Sequence, residues 1–494
     1  MHGRLDYVVE EHGFDKMKKN FAIIGGGATG PLLLSRIAEE ALENNTRCDG
    51  LTIHLIDPNG FGNGGIAYGM AHSNHKLNSI PSEMNGNKSS SFPAFLNQKN
   101  ISFDNEEFNT RASYKPYIKD ELVDKPIAIL RSLGAQVVVH RSSAFIKKDS
   151  SDTYSIVDQD PTQEGNDANL LAPELTELTS DDFVLTVGYG GNNNFKSLQG
   201  KTGYVHNIYD RDLSLVDRFP QLGSEDVRIA VLGSGPGLYD VANELNIIPS
   251  DLFVFSGSGK GLSVRDVSVE DGESSISPQQ LLNMDVNASL ERVLKCVSDE
   301  FQTASSNRSH RRIGLDINKN LKEILHNLDE SVAEEFLKSP TLAYIKHCAT
   351  PVPLASKEKL DQLSPTFVRG KVRDENITTN DDGSFTISSN GNKCEVDIII
   401  NATGHGRHNA PILNSLKQDD LASVSKRTAV LDTDHTGYRL CESGIAVIGP
   451  ATHIGTDGME SFAPFADDLA KKTVQNWQPL NEKAEPQLQS IEWN

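Results

Sequence analysis

The chain has 494 residues, a formal net charge of −21, 37% hydrophobic residues and 23% charged ones. That length provides for two or three domains with ample core, and the composition is that of a folded protein rather than a disordered or membrane one. The acid excess argues against a general nucleic-acid or anionic-membrane surface, which needs basic clusters, yet it leaves room for an anion at one helix N-terminus.

The opening segment MHGRLDYVVEEHGFD is acidic and has no apolar run, unlike a secretory signal. No stretch approaches the roughly 18 apolar residues of a membrane span, so a cytoplasmic protein without a membrane partner is expected. Cys48, Cys296, Cys348, Cys394 and Cys441 stand singly, with no CxxC pair. A dithiol redox centre and a zinc site therefore lack sequence support, and the thiols are expected to be reduced.

Phe21 to Ile24 is an apolar run of the kind that forms a buried parallel strand. It enters Gly25-Gly26-Gly27-Ala28-Thr29-Gly30, a GxGxxG match, and then an apolar helical start from Pro31. In such a loop Gly25 permits the tight turn, Gly27 admits a pyrophosphate to the backbone, and Gly30 lets helix pack on strand. The helix N-terminus faces the phosphates with unpaired N–H groups. Leu51 to Ile56 reads as the second strand, and Asp57 stands at its end, where a ribose-binding acid belongs.

A second strand-and-glycine unit runs from Val227 to Leu232 and into Gly233-Ser234-Gly235-Pro236-Gly237-Leu238. Leu238 holds the third glycine position. The following strand, Leu252 to Phe255, ends at Ser256 rather than at an acid, which weakens a case for NAD. Ser256, Ser258, Lys260 and Arg265 are candidates for a 2′-phosphate; a unit of this fold that binds no nucleotide is the alternative. Gly259-Lys260 fails as a P-loop, because Val254 takes the place of its first glycine.

Two more buried strands end in glycine: Val396 to Asn401 before Ala402-Thr403-Gly404, and Gly444 to Ile448 before Gly449. A Gly-rich stretch with Gly455 and an apolar helical segment, Phe462 to Val474, follow. His405 and His408 have helical spacing, but the neighbouring glycine makes a loop, and no metal site is expected. No GxSxG elbow exists.

These segments together resemble the flavoproteins with two dinucleotide-binding domains, specifically the FAD/NAD(P)-binding proteins related to N-hydroxylating monooxygenases of the lysine and ornithine type. The resemblance covers about 21–474. It includes Asp57-Pro58 with Gly62 to Gly69, which is similar to a "DP…G.G.AYG" segment. His75-Lys76-Leu77-Asn78 with Pro81 to Met84 is similar to a segment that runs beside the isoalloxazine in relatives. Phe92 to Leu96 and Arg111 to Ile118 match two further stretches, although Lys115-Pro116 replaces a usual glycine. Asp182 to Gly188 looks like a degenerate "ATG" strand, and Ala402-Thr403-Gly404 like a better copy. The Arg-rich turn that relatives carry after the Leu252–Phe255 strand is missing here.

The resemblance implies an α/β fold with two Rossmann-like units, the FAD domain (1–222 and 394–494) split by an inserted NAD(P)-type domain (223–393). It implies FAD held by Gly25, Gly27, Ala28, Thr29, Gly30, Asp57, Pro58, Gly65, Leu77, Asn78, Gly188, Thr403, Gly404, Gly449 and Gly455. NADPH is the candidate nucleotide at Gly233 and Gly235. The implied reaction is hydride transfer to the flavin, then oxygen transfer from a flavin hydroperoxide to a small molecule, such as an amine or amino acid. Asn78 is the candidate partner of the flavin edge, Arg111 the candidate for an anionic substrate or the pyrophosphate, with His75 and Tyr68 beside them. A flavoprotein oxidase or dehydrogenase with an altered middle domain, and a non-catalytic flavin-binding regulator, are the alternatives.

Overall fold

The computed structural model describes residues 19–477, apart from 104–107, 150–152, 162–168, 210–214, 219, 224–225, 246–247, 263, 265–278, 303–309, 351, 406–408, 427, 435 and 453–458. Gly455, His408 and Arg265 thus lie outside the described residues.

Two five-stranded parallel sheets organise the chain. The first takes β1 (Lys19–Ile24), β2 (Leu51–Ile56), β3 (Gln136–His140), β4 (Phe183–Leu185) and, from far along the chain, β10 (Ala446–Val447). The second takes β5 (Tyr204–Val205), β6 (Arg228–Leu232), β7 (Asp251–Ser256), β8 (Thr366–Arg369) and β9 (Ile398–Asn401). The spatial order is β3-β2-β1-β4-β10 in the first sheet and β8-β7-β6-β9-β5 in the second.

The apolar runs become central strands because both faces of each sheet are covered. Along β1, Phe21 and Ile23 join one core cluster while Ala22 and Ile24 join another. Along β6, Ile229 and Val231 face one cluster, Ala230 and Leu232 a second. Helix α1 (Thr29–Glu43) follows the first glycine loop, and its Leu33, Ile37 and Ala41 share a core with Ala466 and Leu469 of the long helix Met459–Trp477. Across β2 and β3, His54 and His140 stack, with Nδ1 of His54 2.9 Å from Nε2 of His140.

The expected division at 222/223 and 393/394 does not follow the sheets. Tyr204–Val205 and Ile398–Asn401 both pair within the second sheet, β9 lying between β6 and β5. An apolar strand segment carries no mark of which sheet it will join. Between β7 and β8 the chain adds a helical layer, from Gln279–Leu282 to Leu354–Gln362, with its own core around Phe336 and Ile345. The chain leaves the first sheet and returns to it at one crossing: a Cβ on Gly190 would lie 2.1 Å from the carbonyl carbon of Asn409.

Candidate active site

The two glycine loops are built alike. Gly25 takes φ +112° and Gly233 φ +109°. The Gly25 N–H donates to the Ile56 carbonyl at 2.8 Å, and the Gly233 N–H to that of Phe255 at 2.8 Å. Beside the first loop the Thr186 N–H donates to Ile24 O at 2.7 Å; beside the second, the Ala402 N–H donates to Leu232 O at 2.9 Å. A side chain at Gly25 would meet Thr186 O at 2.6 Å, and one at Gly233 would meet Ala402 O at 2.4 Å. Thr403 and Gly404, which the sequence groups with the first loop, therefore stand at the second. Thr186, Val187 and Gly188 hold the equivalent place at the first.

Within each loop the glycines divide by what they face. A Cβ on Gly30 would strike Gly25 O at 2.0 Å, so this glycine serves helix–strand packing. A Cβ on Gly27 would meet nothing nearer than Gly65 Cα at 3.6 Å, and one on Gly235 would meet nothing within 4 Å beyond its own chain neighbours. The protein itself does not require these two glycines; space at the backbone does. Ala28 begins α1 and Gly235 begins α3 (Pro236–Glu244), and neither helix start has a side-chain cap. First-turn N–H groups without a cap suit an anion. Leu238, at the third position of the second loop, is fully buried, and it is at Gly237 that a Cβ would meet Ile208 at 3.1 Å and the Ala402 methyl at 3.4 Å.

Asp57 organises the first loop from within. Its Oδ2 accepts from the Gly26 N–H at 2.7 Å, and Oδ1 accepts from Asn59 N–H at 2.8 Å and Asn63 Nδ2 at 2.9 Å. Asn63 Oδ1 then accepts from the Gly65 N–H at 2.5 Å. A carboxylate has about four lone-pair sites, so one direction is left for a ribose hydroxyl. Asn63 is absent from the sequence reading, although it lies in the quoted Gly62–Gly69 segment. Pro58 is exposed on the turn after Asp57, and Gly65 is half-buried opposite Gly27. Leu77 is buried, its N–H donating to Asn109 O at 2.8 Å. Asn78 is half-buried in the bend that follows, with no side-chain hydrogen bond to described residues. Gly188 is exposed with open space around it, and Gly449, φ +139°, is buried two residues past β10, where a Cβ would lie 3.3 Å from Val187 O. Tyr68 packs on Tyr114 with ring centres 4.9 Å apart.

Arg111, placed by the sequence near an anionic ligand, is instead committed to the protein. It begins α2 (Arg111–Lys119). Nε donates to Lys76 O at 2.9 Å, Nη1 lies 3.5 Å from the Tyr209 hydroxyl, and Nη2 pairs with Asp240 Oδ2 at 3.1 Å. The Tyr209 hydroxyl also donates to Asp240 Oδ2, at 2.5 Å. Burial is the strongest single influence and opposes the guanidinium charge, but Asp240, Tyr209 and Tyr68 together outweigh it and hold Arg111 protonated. Burial, then Asp240, pushes the Tyr209 hydroxyl up, so it remains a donor. His75 is likewise occupied. Its Nδ1 accepts from the His72 N–H at 3.2 Å, so Nε2 carries the proton and donates to Glu244 Oε1 at 2.6 Å.

His405 stands next to this cluster, its ring centre 5.7 Å from that of Tyr209 and 6.2 Å from that of Tyr189. Burial, then the charge of Arg111, lowers its pKa. Asp240, Glu244 and Tyr209 are absent from the sequence reading. The available signal was two acids one turn apart inside the apolar stretch Leu238 to Leu245.

Two parallel sheets, each with an uncapped glycine loop at the head of its helix, define the two-dinucleotide-binding-domain fold. Residues 22–188 match the FAD-NAD(P)-binding family model. The matched span holds the first glycine loop and Asp57, which supports FAD as the cofactor there, with NADPH the candidate second nucleotide. Among solved structures, the reduced form of ornithine hydroxylase from Pseudomonas aeruginosa is similar at 13% identity and TM-score 0.51, over 94% of this chain and 99% of that one. Bacillithiol disulfide reductase from Bacillus cereus is similar at 11% identity and TM-score 0.49, over 93% and 100%. Lysine monooxygenase from Nocardia farcinica is similar at 12% identity and TM-score 0.47, over 92% and 99%. No curated protein matches the sequence. No described helix is long and apolar enough to cross a membrane.

Proposed function

We propose that this FAD-dependent oxidoreductase is an NAD(P)H-using monooxygenase acting on a small molecule, with N-hydroxylation of an amine or amino acid as the favoured reaction. The observation that carries the reading is the matched pair of loops: Gly27 and Gly235 each leave open backbone at an uncapped helix start. That pairing is what two separate pyrophosphates require.

In this reading the N–H groups of Gly27, Ala28 and Thr29 hold the FAD pyrophosphate, and the free lone pair of Asp57 takes a ribose hydroxyl. The backbone at Gly188 and Gly449 gives the cofactor close approach. The free side chain of Asn78 meets the flavin edge. Bound flavin supplies hydride acceptance and activation of O₂. The protein's own task is to bind, orient and exclude water, and the buried Arg111–Asp240–Tyr209 and His75–Glu244 groups close the space between the two units. The five cysteines are all free, and none has a second cysteine near it in sequence, which favours oxygen transfer over a dithiol reductase.

Purified protein titrated anaerobically with NADPH and NADH tests this. Bleaching of a yellow protein by one of them, followed by aerobic NAD(P)H consumption that accelerates with an added amine and yields its hydroxylated product, is the expected result. Failure of both donors to reduce the flavin overturns it. Bleaching by a substrate alone would mark an oxidase or dehydrogenase, the reading favoured by the closed turn at Ser256–Lys260, whose hydroxyls bond to the turn itself.

A further inference from the structure

Strand β7 ends at Ser256, where a Rossmann unit meets the adenosine ribose. The serines there are not available to a phosphate. Ser256 Oγ accepts from the Gly259 N–H at 3.0 Å and lies 3.3 Å from Ser258 Oγ; Ser258 Oγ donates to Lys260 O at 3.1 Å and accepts from the Lys260 N–H at 3.3 Å. The turn closes on itself.

The neighbouring strand fills the gap. β8 runs parallel to β7 with Arg369 in register with Ser256. The next residue, Gly370, donates its N–H to Ser256 O at 2.9 Å. Gly259 adopts φ +65°, and a Cβ there would sit 2.7 Å from the Arg369 Cβ. Asn390 Nδ2 donates to Arg369 O at 2.6 Å and fixes the backbone. The root of the Arg369 side chain is thus built against the turn, while the residue is exposed and makes no ion pair among the described residues. Lys260, also exposed, lies on the same turn. It is close enough to His347 to add to the burial that lowers that imidazole's pKa.

We infer that Arg369, assisted by Lys260, selects a nucleotide bearing a 2′-phosphate at the second glycine loop. A guanidinium presents paired donors to a phosphate and gains nothing comparable from a bare ribose hydroxyl. The cation that discriminates the donor would stand on the strand beside β7 rather than on the turn after it. This inference rests on the proposal that the second loop binds a nicotinamide nucleotide.

The test uses the full-length, FAD-loaded protein and two probes that differ only in the 2′-phosphate, 2′,5′-ADP and 5′-AMP, by calorimetry at low salt. The wild type is expected to prefer 2′,5′-ADP by about 10- to 100-fold, the range of a charge-assisted hydrogen bond. Arg369→Ala brings the ratio close to one, and Arg369→Lys retains part of it. Added salt shrinks the wild-type preference, because the pair is exposed. Flavin absorbance reports that each variant is folded. A preference that survives in Arg369→Ala overturns the inference, as does a wild-type ratio near one, which leaves the second loop as a nucleotide site. If neither probe binds the yellow wild type, the nucleotide reading of the second loop falls, and this inference with it.

Discussion

Arg111 and Asp240 pair across the two sheets: Nη2 lies 3.1 Å from Oδ2, with side-chain exposures of 11% and 4%. Asp240 and Glu244 stand one turn apart on α3, the helix that opens at Gly235. Both reach away from their own sheet, Asp240 to Arg111 and Glu244 to His75. The helix that heads the second glycine loop is therefore held by residues that belong with the first.

Removing one partner of such a pair leaves a buried charge uncompensated. Arg111→Ala is expected to lower stability by about 3–5 kcal/mol, read from the urea midpoint at unchanged slope. Replacing both residues, Arg111→Met with Asp240→Leu, should recover much of that loss, since no lone charge remains. A single-variant loss under about 1 kcal/mol, the range of an exposed pair, would show that water reaches the site.

The glycines of the first loop are expected to separate two effects. Gly25→Ala meets Thr186 O at 2.6 Å with φ +112°, so it costs folding stability, on the order of 1–3 kcal/mol or more. Gly27→Ala meets only ordinary contact at 3.6 Å, so the protein folds with a near-normal melting temperature. It loses flavin all the same, seen as missing absorbance near the visible flavin band. A Gly27→Ala protein that stays fully yellow would show that the pyrophosphate lies elsewhere.

Thr186 ties the two sides of that loop, its hydroxyl donating to Gly25 O at 2.7 Å. Thr186→Val keeps the shape and removes the donor. The expected cost is about 1 kcal/mol, with flavin affinity falling in step because Gly25 shapes the loop. Equal affinity in wild type and variant would separate the hydroxyl from cofactor binding.

His54 carries the clearest pH signature. Burial, then the neighbouring His140, lowers its pKa from 6.5 to about 4. Between those values the unfolded chain binds a proton that the folded chain refuses, so folding stability rises with pH across the window. The contribution is fully present above about pH 6.5 and is lost as pH falls toward 4. Denaturation midpoints measured from pH 7 to pH 4 should fall, and His54→Gln should fall less. Parallel curves for the two proteins would count against this origin.

Local geometry was legible in the sequence wherever one segment makes its own structure. The Phe21–Gly30 strand and loop, the Val227–Gly235 copy and the acid at Asp57 were readable because a turn needing φ above zero leaves glycine in the sequence. What could not be read was pairing between distant segments. The assignment of Ile398–Asn401 to the second sheet depends on its neighbours β6 and β5, not on its own isoleucines. Arg111 was visible as a cation, but its commitment to Asp240 depends on packing α3 against the first sheet. Arg369 left no signal, because strand register alone brings it to Ser256.

The crossing at Gly190 and Asn409 gives the middle of the chain a single doorway. All the strands of the first sheet lie before Gly190 or after Asn409, and all those of the second lie between them. The span from 191 to 408 is therefore a detour that begins and ends at one point in space. A short bridge across that point would leave the first sheet with its strands, its glycine loop and Asp57 intact, while stripping Arg111 and His75 of the carboxylates they now bond to.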